Sequence, residues 1–252
     1  MPALQRHPSM DDRLPPPDAS RALIVIPTYN EREMLPRIAA AVLALPGGWR
    51  LLIVDDNSPD GTGELADDLA RQESRVSVLH RPQKQGLGPA YLAAFEAALK
   101  RPDVEFVIEM DADLSHDPAD LPRLLETARE ADLVIGSRWV PGGRTEGWDL
   151  RRRLLSRWGN AYVRLALGIP VRDATAGFRC WRRRALEAID RAAVKTRGYG
   201  FQVEMAYRTI KAGCRVVEVP ICFTERRAGQ SKMSGSIVTE ALLLPWKLRR
   251  LR

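Results

Sequence analysis

The chain has 252 residues, 45% of them hydrophobic, which suits one large α/β domain or two small ones around a sizeable core. Three cysteines, Cys180, Cys214 and Cys222, show an odd count and no CxxC spacing, so neither a disulfide framework nor a zinc cluster is indicated and a reducing cytosol is the default. The charge of +7 is unevenly placed: residues 1–126 hold 13 Lys/Arg and 21 Asp/Glu, net −8, and residues 127–252 hold 26 and 11, net +15. An acidic half joined to a basic half suits a phosphate-bearing ligand or an anionic membrane surface as well as it suits nucleic acid.

Residues 1–20 are rich in Pro and polar groups and read as a flexible arm. "RALIVIPTYNE" gives a buried-strand signal followed by a helical pattern through "MLPRIAAAVLAL". "RLLIVDDNSPDGT" repeats that design, with a helix capped near Asp60 or Thr62 and running through "ELADDLARQ". "RVSVLHRP", "VEFVIEM" and "ADLVIGSR" are further strands, separated by helices in "GLGPAYLAAFEAALK" and "DPADLPRLLETARE". Strands alternating with helices at this spacing predict a mostly parallel central sheet with helices on both faces. After residue 140 come a glycine-rich segment, a basic helix, the loop and helix of "DATAGFRCWRRRALEAI", a helix in "GYGFQVEMAYRTIKAG", and a strand leading into the basic loop "FTERRAGQSKMSG". No apolar run approaches the ~20 residues that a membrane-spanning helix needs, so work at a membrane would be done from its surface. The tail, residues 236–252, reads either as a last helix packed on the domain or as a basic amphipathic helix on a membrane, different faces being able to do both.

Parallel sheets bind ligands beyond the carboxyl ends of their strands. Three such ends are polar: Pro27 to Glu31, Asp55 to Asn57, and Asp111 to Asp113. In extended backbone Asp111 and Asp113 point the same way, and a hard divalent cation, a basic cluster or water around a charged turn could each neutralise them. His116 either completes that shell or hydrogen-bonds the loop. Asp55 and Asp56 read as an acidic helix approach or as acceptors for a nucleotide. Arg226, Arg227 and Lys232 surround a glycine and a serine, where backbone can approach a ligand and guanidinium can fork to phosphate; Arg138 and the run 151–153 carry a weaker form of the same signal. The "GLG" at 86–88 is too little to indicate a dinucleotide fold.

Taken together and in order, "VIPTYNE", "IVDDNSPDGT", "MDADLSHDP", "GSRWVPGG", "DATAGFRCW", "GYGFQVEM" and "FTERRAGQSKMSG" resemble the dolichol-phosphate mannose synthases, a group within the family-2, GT-A-fold glycosyltransferases, over about residues 20–240. The resemblance implies a Rossmann-like GT-A domain at 21–235, with a donor half at about 21–140 and an acceptor half at about 141–235. It implies inverting transfer of mannose from GDP-mannose to a polyprenyl monophosphate with Mg²⁺ or Mn²⁺. Pro27, Tyr29, Glu31, Asp55 and Asp56 would bind the nucleoside, and Asp111 and Asp113 the metal and donor diphosphate. Ser115 stands where some relatives carry a longer polar ligand. Arg138, Arg152 and Ser156 would meet the acceptor phosphate, and Arg226 and Lys232 would close over the phosphates and act with Asp113 in catalysis. Many relatives append membrane spans, whereas this chain stops at Arg252. It therefore resembles a form working at the cytoplasmic face and reaching lipid through a membrane-spanning partner or its own tail.

The chemistry agrees with these residues. A phosphate monoester is already largely dianionic near neutral pH, so no general base is required of the protein, and its work is alignment and charge stabilisation of the departing diphosphate. The alternatives are glucosyl transfer from UDP-glucose to the same lipid and a non-catalytic nucleotide-sugar-binding subunit. Nucleic-acid binding lacks a reading helix or an aromatic stacking platform.

Overall fold

The computed structural model describes residues 18–196, 198–225 and 243–250. A seven-stranded sheet runs β3-β2-β1-β4-β7-β5-β8. Its strands are β1 (Ala22–Thr28), β2 (Arg50–Asp55), β3 (Val76–His80), β4 (Phe106–Glu109), β5 (Leu133–Ser137), β7 (Arg179–Arg182) and β8 (Val216–Pro220). All neighbours pair in parallel except β7, which lies antiparallel between β4 and β5. A second sheet pairs β6 (Arg144–Glu146) with β9 (Cys222–Thr224).

β1 shows why the sheet is covered on both faces: its residues are almost continuously buried, and successive side chains go to opposite sides. Leu23 and Val25 join a core with Tyr91, Phe95, Trp181 and Phe201, beneath α3 (Leu87–Leu99), α5 (Leu150–Leu167), α6 (Arg183–Ala188) and α7 (Tyr199–Lys211). Ile24 and Ile26 join another with Leu35, Ile38, Ala66, Leu121 and Phe178, beneath α1 (Leu35–Leu43), α2 (Thr62–Gln72) and α4 (Leu121–Thr127). The chain runs β1 to β3 in one direction and then returns to lay β4 on the other side of β1. That reversal makes the β1/β4 carboxyl edge the crevice where such sheets take ligands.

One expectation changes. "RCWR" is a strand, not part of a loop: Ile108 pairs with Cys180 and Val134 with the same residue from the other side. Consequently the halves divided at residue 140 share one sheet, and β7 and β8 of the second half flank β5 of the first. Of the arm at 1–20, residues 1–17 lie outside the described part, and Ala19 is already buried in a 3-10 turn (Ala19–Arg21) capped by Asp18. Of the tail, residues 243–249 are helical, with Leu244 and Leu248 buried in the core under α3 and α7. All three cysteines are free.

Candidate active site

Register brings the polar strand ends level. Thr28 pairs with Asp55, and Asp55 with His80, so the loops after β1, β2 and β3 leave the sheet side by side. Thr28 Oγ1 donates to Asp55 Oδ1 at 3.0 Å, and Ser58 donates to the same carboxylate through its amide at 3.0 Å and its hydroxyl at 2.6 Å. Asp55 is thus a buried brace between two loops. The Asn30 amide donates to Ser58 Oγ and the Glu31 amide to Thr62 Oγ1, which ties the loop after β1 to the start of α2. Asn30 holds φ at +59°, a left-handed position that asparagine tolerates. Asp56 is ion-paired with Arg81, both side chains less than a tenth exposed, and Lys84 Nζ sits 3.6 Å from the centre of the Tyr29 ring. Pro27 lies in the last turn of β1, partly exposed. Arg81 and Lys84 did not stand out in the sequence, although "HRPQK" follows a strand and obeys the same strand-end rule as the acidic turns.

The turn after β4 carries Asp111 and Asp113, both partly exposed. Asp113 Oδ1 accepts from the Ser115 amide at 3.0 Å, closing a turn whose middle residue, Leu114, has φ +60°. Ser115 Oγ on that turn is buried without a hydrogen-bond partner. His116 is buried, stacked on Phe178 at 4.8 Å with Phe223 at its edge, and its Nδ1 accepts from the Asp111 amide at 3.2 Å. Burial lowers its pKa, against the nearby carboxylates of Asp111 and Asp113 that raise it. It therefore braces the loop as a neutral ring. Among the described residues no three His, Cys, Asp or Glu side chains converge as a metal site.

Beneath this turn, Glu109 is fully buried and accepts from Trp181 Nε1 at 2.6 Å and from Gln202 Nε2. Burial pushes its carboxyl up to about 7, opposed by the Arg179 guanidinium and the two hydrogen bonds. Arg179 is itself fully buried and donates to the carbonyls of Ala174, Ala176 and Gln202 at 2.7 to 2.8 Å, shaping the 173–178 loop that borders the acidic turn.

Arg138, directly after β5, binds Asp173 through Nε at 2.8 Å and Nη2 at 2.7 Å, with Thr175 Oγ1 at 3.0 Å. Its guanidinium lies against Trp139, Trp148 and Phe223, and the residue is 7% exposed. Asp173 and Thr175 thus hold Nε and Nη2 of the guanidinium that was expected to meet an acceptor phosphate. Thr175 joins Asn160 on the inner face of α5, and Asn160 Nδ2 donates to the Ser156 carbonyl at 3.0 Å. Arg152, in the first turn of α5, lies 4.2 Å over Trp148 and pairs with Glu225, yet keeps a third of its side chain exposed. The Thr224 amide donates to the Ser115 carbonyl at 3.1 Å. That bond lays the end of β9 on the acidic turn, so Arg152, Glu225 and the Asp113 turn form one wall. Arg226, Arg227 and Lys232 follow Glu225 in sequence and lie outside the described residues.

The Glycosyl transferase family 2 model matches residues 23–190, two thirds of the chain, including the turns after β1, β2, β4 and β5. The chain belongs to that family. An undecaprenyl-phosphate mannosyltransferase of Micrococcus luteus is 51% identical to this glycosyltransferase over 223 residues, 88% of this chain and 91% of that one. A polyprenol monophosphomannose synthase of Mycolicibacterium smegmatis is 51% identical over 233 residues, 91% and 88%. Among solved structures, glucosyl-3-phosphoglycerate synthase of Mycobacterium tuberculosis in complex with Mn²⁺, UDP-glucose and phosphoglyceric acid aligns with a TM-score of 0.62 at 20% identity, over 90% of this chain and 81% of that one. That likeness is one of fold, and the strand order here agrees with a GT-A architecture.

Proposed function

We propose that this family 2 glycosyltransferase moves mannose from GDP-mannose to a polyprenyl monophosphate with inversion, peripherally at the cytoplasmic face of a membrane. The observation that carries the reading is the wall in which the Asp111/Asp113 turn and Arg152 are joined through the Thr224–Ser115 bond and the Arg152–Glu225 pair. The names of the two mannosyltransferases at 51% identity support the sugar and the lipid class.

Pro27, Tyr29, Glu31 and the Asp56–Arg81 pair offer a polar rim for a nucleoside, with Asp55 bracing it from beneath. Asp111 and Asp113 provide the two carboxylates that Mg²⁺ or Mn²⁺ needs alongside substrate phosphates, and the unpartnered Ser115 hydroxyl is a third oxygen on the same turn. Bound there, the cation would neutralise charge on the departing diphosphate. Arg152 and Ser156 orient the acceptor phosphate, while Arg138 keeps the wall in place from behind. Arg226 and Lys232 would add positive charge as the diphosphate leaves. Because the acceptor dianion is its own nucleophile, the residues need only hold it in line with the anomeric carbon and keep it incompletely neutralised. The test is incubation of the chain with labelled GDP-mannose, Mg²⁺ or Mn²⁺ and a short-chain polyprenyl phosphate. Mannosylated lipid is expected; product from UDP-glucose alone, or none from any nucleotide sugar, overturns the reading.

A further inference from the structure

We propose that Glu225 is a built-in competitor for the acceptor phosphate: it holds Arg152 while the site is empty, yields it to a phosphate monoester, and retakes it once that phosphate has become a diester. The inference rests on the reading of Arg152 as an acceptor-phosphate ligand and adds to it a carboxylate that the sequence did not single out.

The two arginines of the basic wall differ in how their carboxylates are kept. The Arg138 and Asp173 side chains are 8% and 0% exposed, a closed pair. The Arg152 and Glu225 side chains are 32% and 40% exposed, so ligands can reach both partners. A pair so open to water favours contact over separation by no more than about fivefold, little enough for a ligand to exchange. Neither partner depends on the pair for its place. Trp148 supports the Arg152 guanidinium at 4.2 Å, and Asp149 Oδ1 accepts from the Arg152 amide at 2.7 Å. Glu225 is anchored through backbone: its amide donates to the Glu146 carbonyl at 2.9 Å, and the preceding Thr224 amide donates to the Ser115 carbonyl at 3.1 Å. Gly147, at φ +80°, makes room for it, since a Cβ there would lie 2.8 Å from Glu225 Cβ. When Arg152 turns to another anion, the carboxylate therefore stays beside it and continues to compete.

The proposed reaction supplies the switch. An oxygen of the acceptor phosphate forms a bond to the anomeric carbon, the bond from that carbon to the diphosphate oxygen breaks, and its electron pair leaves on GDP. No proton has to move. The charge on the acceptor phosphate falls from about −2 to about −1, because a diester has no second ionisation. The monoester brings the guanidinium more charge than one carboxylate does and displaces Glu225. The diester brings only the same single charge, and a carboxylate tethered beside the arginine competes with it at the high effective concentration that the chain imposes. An arginine wall without such a competitor would hold product as well as substrate, and uniform binding of that kind does not raise turnover.

The experiment gives the full chain two soluble probes, farnesyl phosphate and its methyl diester. By titration calorimetry without donor, the wild type is expected to bind the monoester more tightly than the diester, and E225Q to bind both about three- to fivefold more tightly than the wild type does. In mannosyl transfer to farnesyl phosphate, E225Q should show a KM lowered by the same factor and stronger inhibition by added diester. E225D, which keeps the charge, should behave as the wild type, and in an R152Q background E225Q should lose most of its effect. A carboxylate that only braced the wall would give the opposite sign, and a KM that rises with both probes weakened overturns the proposal. So do unchanged affinities in E225Q, an E225D that behaves as E225Q, and an E225Q effect that survives intact in R152Q. If the binding shifts appear but no variant, wild type included, transfers mannose, Glu225 stands as the competitor at Arg152 and the function proposed above is removed instead.

Discussion

Arg138 and Asp173 form an ion pair from which water is excluded, and its value lies in what happens when one partner is lost. Asp173 is fully buried and accepts from the Arg138 amide as well as from Nε and Nη2 of its guanidinium. Asp173→Ala would leave a buried cation with no counter-charge, and a loss of about 3–5 kcal/mol in urea unfolding is expected. Asp113→Ala is a different case: the side chain is partly exposed and accepts one local amide. It should fold normally by circular dichroism and lose turnover at any metal concentration; near-normal turnover with metal present would remove the cation assignment. Glu109 makes a pH prediction. Its carboxyl is raised from 4.5 to about 7, chiefly by burial, so between those values the unfolded chain releases a proton that the folded protein keeps. The contribution is complete below about 4.5 and lost as pH rises to about 7, a drop near 3 kcal/mol in the stability of the ligand-free protein. Glu109→Gln should abolish that slope, and an unchanged difference between the two proteins across pH 4 to 8 would contradict it. Neither the Arg138–Asp173 pair nor the Glu109 cluster could be read from sequence. An arginine after a strand reads as a surface cation unless one knows that Asp173, 35 residues on, folds back against it.

At the scale of elements, legibility followed local pattern. β1, β2, β4 and β5 are apolar runs ending in polar turns, and each appears where the period and the strand-end residues put it. β7 escaped because its four residues, Arg-Cys-Trp-Arg, carry two arginines and precede two more, Arg183 and Arg184. Arg179 is inside only because the carbonyls of a loop turn inward to meet it, a tertiary effect with no local signature. The short "GLG" shows the converse, a motif whose meaning is packing. A Cβ on Gly88 would lie 2.7 Å from the Thr196 carbonyl oxygen and 2.9 Å from the Phe201 ring. Glycine there lets α3 approach α7 over the core holding Tyr91 and Phe201. Gly88→Ala is therefore expected to destabilise the protein by about 1–3 kcal/mol, despite alanine's better helix propensity. Thermal unfolding checks it: an unchanged or raised Tm would show that the two helices can part without loss.

For the whole molecule, the division of charge along the chain becomes a division across one sheet edge. The acidic half supplies the turns after β1, β2 and β4, and the basic half supplies α5 and β9, so opposite fields meet where β9 touches the Asp113 turn. With −8 in one half and +15 in the other, the field should draw a phosphate-bearing acceptor towards the basic wall over distances comparable to the Debye length, about 10 Å at 0.1 M salt and about 3 Å at 1 M. The interactions that hold the wall itself are different: Arg138–Asp173 and Asp56–Arg81 are buried and feel salt weakly. Raising salt should accordingly raise KM for a soluble short-chain acceptor severalfold between about 0.05 and 0.5 M, while kcat at saturation and Tm change little. Initial rates at fixed, saturating donor and metal separate the two quantities. A KM that stays flat would mean that the acceptor is held by close contacts alone. A kcat that falls in parallel would place the salt-sensitive charges at the reacting phosphates, on Arg152 and the segment beyond Glu225, and not in the long-range field.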